Sequence, residues 1–523
     1  MNRLSIPLLL LSSILVFVFS ACNFEVSQAP NSPSPEPTET NREGENILKL
    51  LYWQAPTILN PHLASGFKDY DGARIVYEPL ASYNNEGQLI LFLAREAPTI
   101  ENSELDPEGK WVIWKLKPEI KWSDGQPLTA EDVAFTYDYL SNPEVAASTL
   151  ENYAAVESVE AVDETTVKIN FKEITPGWSV PFTGASGAIL PEHIFAEYNG
   201  KNAREASANL APVGTGPYEV VAFKPGDSIV LEPNEFFREG TEDLFDRVEV
   251  KGGGDAVSAA RAVLQTGDAD FAYNLQVEAP ILKELEGAGK GKLLTNFGSN
   301  VERILFNFTD PNRATDSGER SSIKFSHPFL NDRAVRQAFN LALDRETIAE
   351  QLYGATGRPT GQLLVAPVGV KSDQISYEYN LEKASGLLEE AGWKDRNNDG
   401  TRDKDGVEMK VLFQTSVNSV RQKTQEIIKQ SLEQIGVGVE LKTIDPSLFF
   451  SGDPASTETV NSFYADLEMF STGNDSPDPG AYMKWWTCDE AAQKENGWQR
   501  PNYARYCNPE YDKLWQQSTT ELD

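Results

Sequence analysis

The first 46 residues of this 523-residue chain cannot join a packed core, so whatever it folds into has to be built from Ile47 onward. Arg3 precedes an apolar run from Leu8 to Phe19, and the small residues Ser20 and Ala21 stand directly before Cys22. That order is an export signal ending at a cysteine. The run is shorter than the ~20 residues a membrane-spanning helix needs, which predicts a cleaved leader over residues 1–21 rather than an anchor helix. Asn23 to Asn46 then reads NFEVSQAPNSPSPEPTETNREGEN, rich in Pro, Ser, Asn and Glu and almost free of apolar side chains. Such a stretch buries too little surface to offset the entropy of ordering it, which predicts a disordered tether over residues 22–46.

The leader resembles the bacterial lipoprotein signal, with a lipobox reading Phe19-Ser20-Ala21-Cys22. The resemblance implies diacylation of Cys22 as the mature N-terminus. The protein is then expected to be tethered by lipid to the outer face of the plasma membrane, in a periplasm or at a cell surface. A plain secretory signal with an incidental cysteine is the alternative. With Cys22 assigned to lipid on this resemblance, the other two of the three cysteines, Cys488 and Cys507, leave one pair. In an oxidising compartment that pair is expected to form a disulfide closing a loop of about 20 residues, worth ~3 kcal/mol in loop entropy. Two metal-binding thiols are the competing reading, which the scatter of His62, His193 and His327, none of them near either cysteine, disfavours.

Acidic residues outnumber basic ones 79 to 46, for a formal charge of −33. That balance excludes nucleic acid and anionic membrane as partners recognised through a general electrostatic footprint. Its plain meaning is a solvated surface that keeps an exported protein dispersed. Past the leader no window approaches eighteen consecutive apolar residues, and a hydrophobic content of 40% is ordinary for a chain that buries a core. The length is too great for one core and suggests two to four domains.

Strand and helix signals alternate along the body. Ile47 to Trp53, Trp111 to Leu116, Thr166 to Phe171, Tyr218 to Ala222 and Ser228 to Leu231 read as strands. Thr129 with Asp132 three residues later opens a helix as a capping pair. Helices are also predicted over Ala256 to Leu264, Asp332 to Tyr353, Leu381 to Ala391 and Val420 to Ile435, with an amphipathic segment from Ala73 to Leu80 after a turn at Asn60-Pro61. The mixture predicts an α/β or α+β body in several lobes.

Four of these segments resemble the bacterial extracellular solute-binding proteins, family 5. They are WVIWKLKPEIKWSDGQPLTAEDVAFTY from Trp111 to Tyr137, VGTGPY from Val213 to Tyr218, HPFLNDRAVRQAFNLALDRETI from His327 to Ile348, and YNLEKASGLLEEAGW from Tyr379 to Trp393. Each also reads as scaffold, a turn, a cap or an apolar helix face, with no paired nucleophile and base. The resemblance implies an α/β, periplasmic-binding-protein-like two-lobed clamp of type II with an extra domain. Domain I is expected over residues 47–87 and 212–299, domain II over 88–211 and domain III over 300–523. Relatives continue for several tens of residues beyond the position of Tyr511 to Leu514 and return to domain I, which makes an exposed sheet edge in that domain an expectation for this chain.

What the resemblance implies about function is capture of an oligopeptide between the lobes by hinge closure, and delivery to the permease subunits of an ABC importer, by a monomer without catalysis and without a required cofactor. Family members that bind peptides often use an aspartate of domain III for the ligand's α-ammonium, and the matching stretch is LEMFSTGNDSPDP from Leu467 to Pro479. Asp475 is the candidate, with Asp478 as the fallback, because an ammonium in a dehydrated cleft needs a fixed carboxylate. The competing reading makes Asp475 a turn residue before Pro477. Peptide backbone is expected to pair near Met469 to Gly473 and near the loop Ala64-Ser65-Gly66-Phe67. Trp485 and Trp486 are candidates for side-chain pockets, or else local core.

The segment Asp395 to Asp403 has oxygen ligands at the first, third, fifth and ninth places of a calcium loop, Asp395, Asn397, Asp399 and Asp403, with Gly400 at the sixth. The twelfth place is Gly406 rather than glutamate, so structural calcium competes with a plain polar turn. Other cargoes for the same clamp are an oligosaccharide, nickel or haem, although clustered His or Cys for a metal is lacking. An exported hydrolase is the distant alternative, disfavoured by the absence of a GxSxG elbow or an HExxH motif.

Overall fold

A computed structural model describes residues 44–521 apart from positions 53, 54, 65, 85, 86, 253, 452–455, 475 and 477. The leader, Cys22, most of the tether, Ser65 and Asp475 therefore lie outside the described residues.

The chain enters through strand β1 (Ile47–Tyr52) and a helix Phe67–Ala73, then leaves by the short hairpin β2 (Ala81–Tyr83) and β3 (Leu89–Leu91). It builds a three-stranded antiparallel sheet in the order β4-β6-β5 from β4 (Trp111–Lys115), β5 (Val156–Asp163) and β6 (Thr166–Phe171). The helix Ala130–Ser141 packs on that sheet. Its start is the capping box read from the sequence: the Thr129 hydroxyl accepts from the Glu131 amide, and Asp132 accepts from the Thr129 amide at 2.9 Å. The core that sheet and helix share with neighbouring segments contains Trp114, Trp122, Tyr139, Tyr153 and Phe182, all fully buried. Burial of large apolar side chains stabilises by roughly 1.5–3 kcal/mol each, so this core is secure without any ligand. Leu63, Ala73, Tyr77 and Leu80 belong to the same core.

The chain then returns to β1. Strands β7 (Tyr218–Lys224), β8 (Ser228–Pro233), β9 (Arg247–Lys251) and β10 (Phe271–Tyr273) complete a five-stranded sheet in the order β10-β1-β9-β8-β7. β1 is parallel to both neighbours, with Leu50 opposite Phe271 on one side and Val250 on the other. β10 stands at the edge, with Phe271 and Tyr273 exposed. The return is possible because Gly214 and Gly216 press against the backbone of Ile75 and Val76: a Cβ on Gly214 would lie 2.1 Å from the Val76 carbonyl oxygen. The Gly216 amide donates to that same carbonyl at 2.8 Å. This contact falls within the amphipathic segment expected from Ala73 to Leu80, and the helix Phe67–Ala73 ends where that segment begins.

Strand β11 (Val301–Phe306) begins the last part. The hairpin β12 (Asp403–Lys404) and β13 (Val407–Glu408) follows, then β14 (Lys410–Ser416), β15 (Gly438–Ile444) and β16 (Leu467–Thr472). The four-stranded sheet runs β11-β16-β14-β15, with β11 and β16 antiparallel and β14 parallel to both its neighbours. Helices Arg333–Leu341, Leu381–Glu390 and Ser419–Gln434 supply the apolar faces around Phe339, Leu388 and Leu432. The helix expected to continue from Asp332 to Tyr353 is broken after Leu341, because Asp344 caps a new turn by accepting from the Thr347 amide at 3.0 Å. A disulfide joins Cys488 and Cys507.

Candidate ligand-binding cleft

One cavity of about 2450 Å³ opens inside the folded body, and its walls come from distant parts of the chain. One wall is the start of the helix Phe67–Ala73 and the turn near Glu151 and Asn152. A second wall is formed by β11, β16 and, from the helix Gly480–Lys484, Ala481 and Tyr482. The segments 270–277 and 291–298 also line the cavity.

On the first wall the loop is pinned by Asp69, which is buried and accepts from the Thr57 amide at 2.7 Å, from its hydroxyl at 3.1 Å, and from Lys68. That holds Gly66 and Phe67 at the cavity surface, with the Phe67 ring half exposed.

On the second wall Arg303 of β11 is the central group. It donates to the Thr472 carbonyl and to the Tyr482 hydroxyl, both at 3.1 Å, and to the Thr472 hydroxyl. Its guanidinium lies over the rings of Phe470 at 5.0 Å and Trp486 at 5.4 Å. Burial disfavours its charge and lowers its pKa. Its Nε is shielded and has no hydrogen-bond acceptor among the described residues. Beneath it, burial raises the Glu468 carboxyl well above the usual carboxylate range, although Gln414 donates to it. Burial likewise pushes Arg505 down to about 10.

The ladder between β14 and β16 ends at Thr415 and Met469, whereas β11 pairs with β16 out to Thr472. From Phe470 to Thr472 the second edge of β16 is thus free of ladder partners among the described residues. Gly473 follows at the cavity wall, and only a glycine fits: a Cβ there would lie 2.2 Å from the Ser299 carbonyl oxygen.

Of the residues singled out in the sequence, Gly66, Phe67, Gly473, Trp485 and Trp486 line this cavity. Trp486 also belongs to the buried core beside Phe470 and Phe449. Asp478 is not on the cavity wall; one of its oxygens accepts from the Gly480 amide at 2.6 Å, and the other faces Gly177 across the body. The loop from Asp395 to Asp403 forms a polar turn in which Asp395 accepts from the Gly400 amide at 3.0 Å and Asp399 from the Thr401 amide at 2.8 Å. Asn397 donates to Asp399, and Asp403 is paired with Arg396 at 2.8 Å. Among the described residues no group of three or more His, Cys, Asp or Glu is placed to hold a metal ion. Arg303, Tyr482 and the segment from Thr356 to Lys371 are wall residues that carry no local signal in the sequence.

The profile described as bacterial extracellular solute-binding proteins, family 5 Middle, matches residues 89–494. The chain belongs to this family. Its fold is the family's two-lobed clamp, its place is outside the cytoplasm, and its site binds rather than transforms. The chain is 28% identical over 534 residues to an oligopeptide-binding protein, AppA, of Bacillus subtilis, covering 100% of this chain and 89% of that one. The solved structure of the oligopeptide-binding protein AppA from Bacillus subtilis in complex with a nonapeptide is similar at a TM-score of 0.74, over 91% of this chain and 87% of that one at 28% identity. The fold is shared as well with NikZ from Campylobacter jejuni in complex with Ni(L-His), at a TM-score of 0.75 and 23% identity over 92% and 87% of the two chains. Among the described residues no helix is long and apolar enough to cross a membrane.

Proposed function

We propose that the protein captures oligopeptides between its two lobes and hands them to the permease of an ABC importer while held to the membrane by a lipid on Cys22. The observation that carries this reading is the cavity itself. At about 2450 Å³ it exceeds the ~300–1,000 Å³ of a small-molecule pocket, and one of its walls offers the free edge of β16 from Phe470 to Thr472. An extended peptide laid on that edge gains main-chain hydrogen bonds whatever its side chains, which suits a receptor for many sequences. The oligopeptide-binding relative supports the same cargo.

In this reading Asp475, two residues beyond Gly473, receives the ligand's α-ammonium, and closure of the lobes completes the contacts. The polar turn from Asp395 to Asp403 is proposed as a place for structural calcium only where Arg396 releases Asp403. The mature protein is expected to copurify with peptides that native mass spectrometry can count. Asp475→Ala is expected to weaken peptide binding more than tenfold, the loss of one charge-assisted bond, without unfolding the protein. Unchanged affinity in calorimetry would remove Asp475 from the site, and a preparation that neither carries nor binds peptides would overturn the cargo.

A further inference from the structure

The cleft is cationic in a protein that is otherwise strongly anionic. Among the described residues its wall carries seven Lys or Arg side chains and only three carboxylates, against a formal charge of −33 for the whole chain. All three carboxylates are already used. Glu151 pairs with Lys484, Glu302 with Arg421, and Asp270 accepts from the Lys49 amide at 2.8 Å. Five cations, Lys292, Arg303, Arg345, Arg358 and Lys371, line the cavity without a carboxylate partner among the described residues.

Their surroundings differ in a useful way. Arg358 is exposed and rests on the Phe297 ring, 3.9 Å from guanidinium carbon to ring centre, so it is positioned by stacking while its donors face solvent. Arg345 is held over the Tyr377 ring and donates only to neutral oxygens of Asn340 and Leu343. Arg303 sits deepest, with its Nε lacking an acceptor. A guanidinium stacked on an aromatic ring keeps its in-plane donors free for a carboxylate, and a bidentate, charge-assisted pair there is stronger than a neutral contact, most of all at the buried Arg303. A single peptide C-terminus would answer one of these cations and leave the others uncompensated.

We infer that the cleft selects peptides rich in acidic side chains, which answer the cations of its wall. The inference rests on the peptide reading above and refines it. Electrostatic focusing adds to the effect, since an anionic ligand is repelled by the general surface and attracted at the cleft, which sharpens discrimination.

Calorimetry on the full mature protein with a hexapeptide of alternating glutamate and alanine, and with its glutamine counterpart of the same shape, tests this directly. The acidic peptide is expected to bind at least about tenfold more tightly, with the advantage shrinking as salt is raised. Arg358→Gln and Lys371→Gln, both at exposed side chains, are expected to lower the acidic peptide's affinity toward that of the neutral one. Arg303→Gln should do so more strongly if it folds. Equal affinities, or tighter binding of the neutral peptide, would overturn the preference while leaving peptide capture intact. Binding of neither peptide would instead bring down the peptide reading and this inference with it.

Discussion

His62 is an instructive residue because it looks like chemistry and is architecture. It is fully buried, one ring nitrogen 2.7 Å from the Thr149 hydroxyl and the other 2.8 Å from the Ala188 carbonyl. Burial pushes its pKa down to about 4, against the partial help of the Ala188 carbonyl. The folded state therefore refuses a proton that the unfolded chain accepts near its ordinary value of 6.5. Its contribution is intact above pH 6.5 and is lost as pH falls toward 4, by up to about 3 kcal/mol. Glu468 acts in the opposite sense, since a carboxyl raised by burial destabilises the fold as pH climbs past its unfolded value. Comparing denaturant unfolding of the wild type and His62→Gln across this range isolates the first effect. The variant is expected to lose the acid-side slope; an unchanged slope would remove His62 as its source.

At the scale of elements, two devices are open to test. The helix Ala130–Ser141 starts on a capping box in which Asp132 also accepts from the Glu192 amide at 2.9 Å, tying the helix to the next segment. Thr129→Ala is expected to cost ~1 kcal/mol in unfolding free energy, and Asp132→Ala more, because it orphans two amides at once. The second device is the pair between Glu151, on the turn Leu150–Tyr153, and Lys484, at the end of the helix Gly480–Lys484 on the second wall. Burial works against the Lys484 ammonium, yet Glu151 and Glu490 more than offset it and raise its pKa. If closure is held partly by this pair, Glu151→Gln should weaken binding of a neutral peptide by about fivefold, the worth of a partly exposed ion pair. An identical dissociation constant would show that the pair does not contribute to closure. Such elements were largely legible in the sequence. The strand read over Trp111 to Leu116 is present over Trp111–Lys115, and the strand Thr166 to Phe171 and the Thr129 cap emerge as read, because alternation and capping are local. The helix read from Asp332 to Tyr353 is interrupted at residues 342–344 by a competing local signal, the cap made by Asp344.

For the whole molecule, the cavity is where sequence reading runs out. Gly66 and Gly473 stand in loops that the sequence marks, but Arg303, Arg345 and Arg358 sit on three separate segments that only the crossing chain brings to one cleft. No spacing rule links them. The contrast between a cationic cleft and an anionic surface likewise vanishes in the summed charge of −33. In the proposed function an extended peptide bridges the two walls. Hydrogen exchange read by mass spectrometry, with and without a saturating acidic hexapeptide, examines this most directly. Slowed exchange at residues 66–73 and at 467–474 together is the predicted result, whereas slowing on one wall alone, or only outside the cleft, would contradict it.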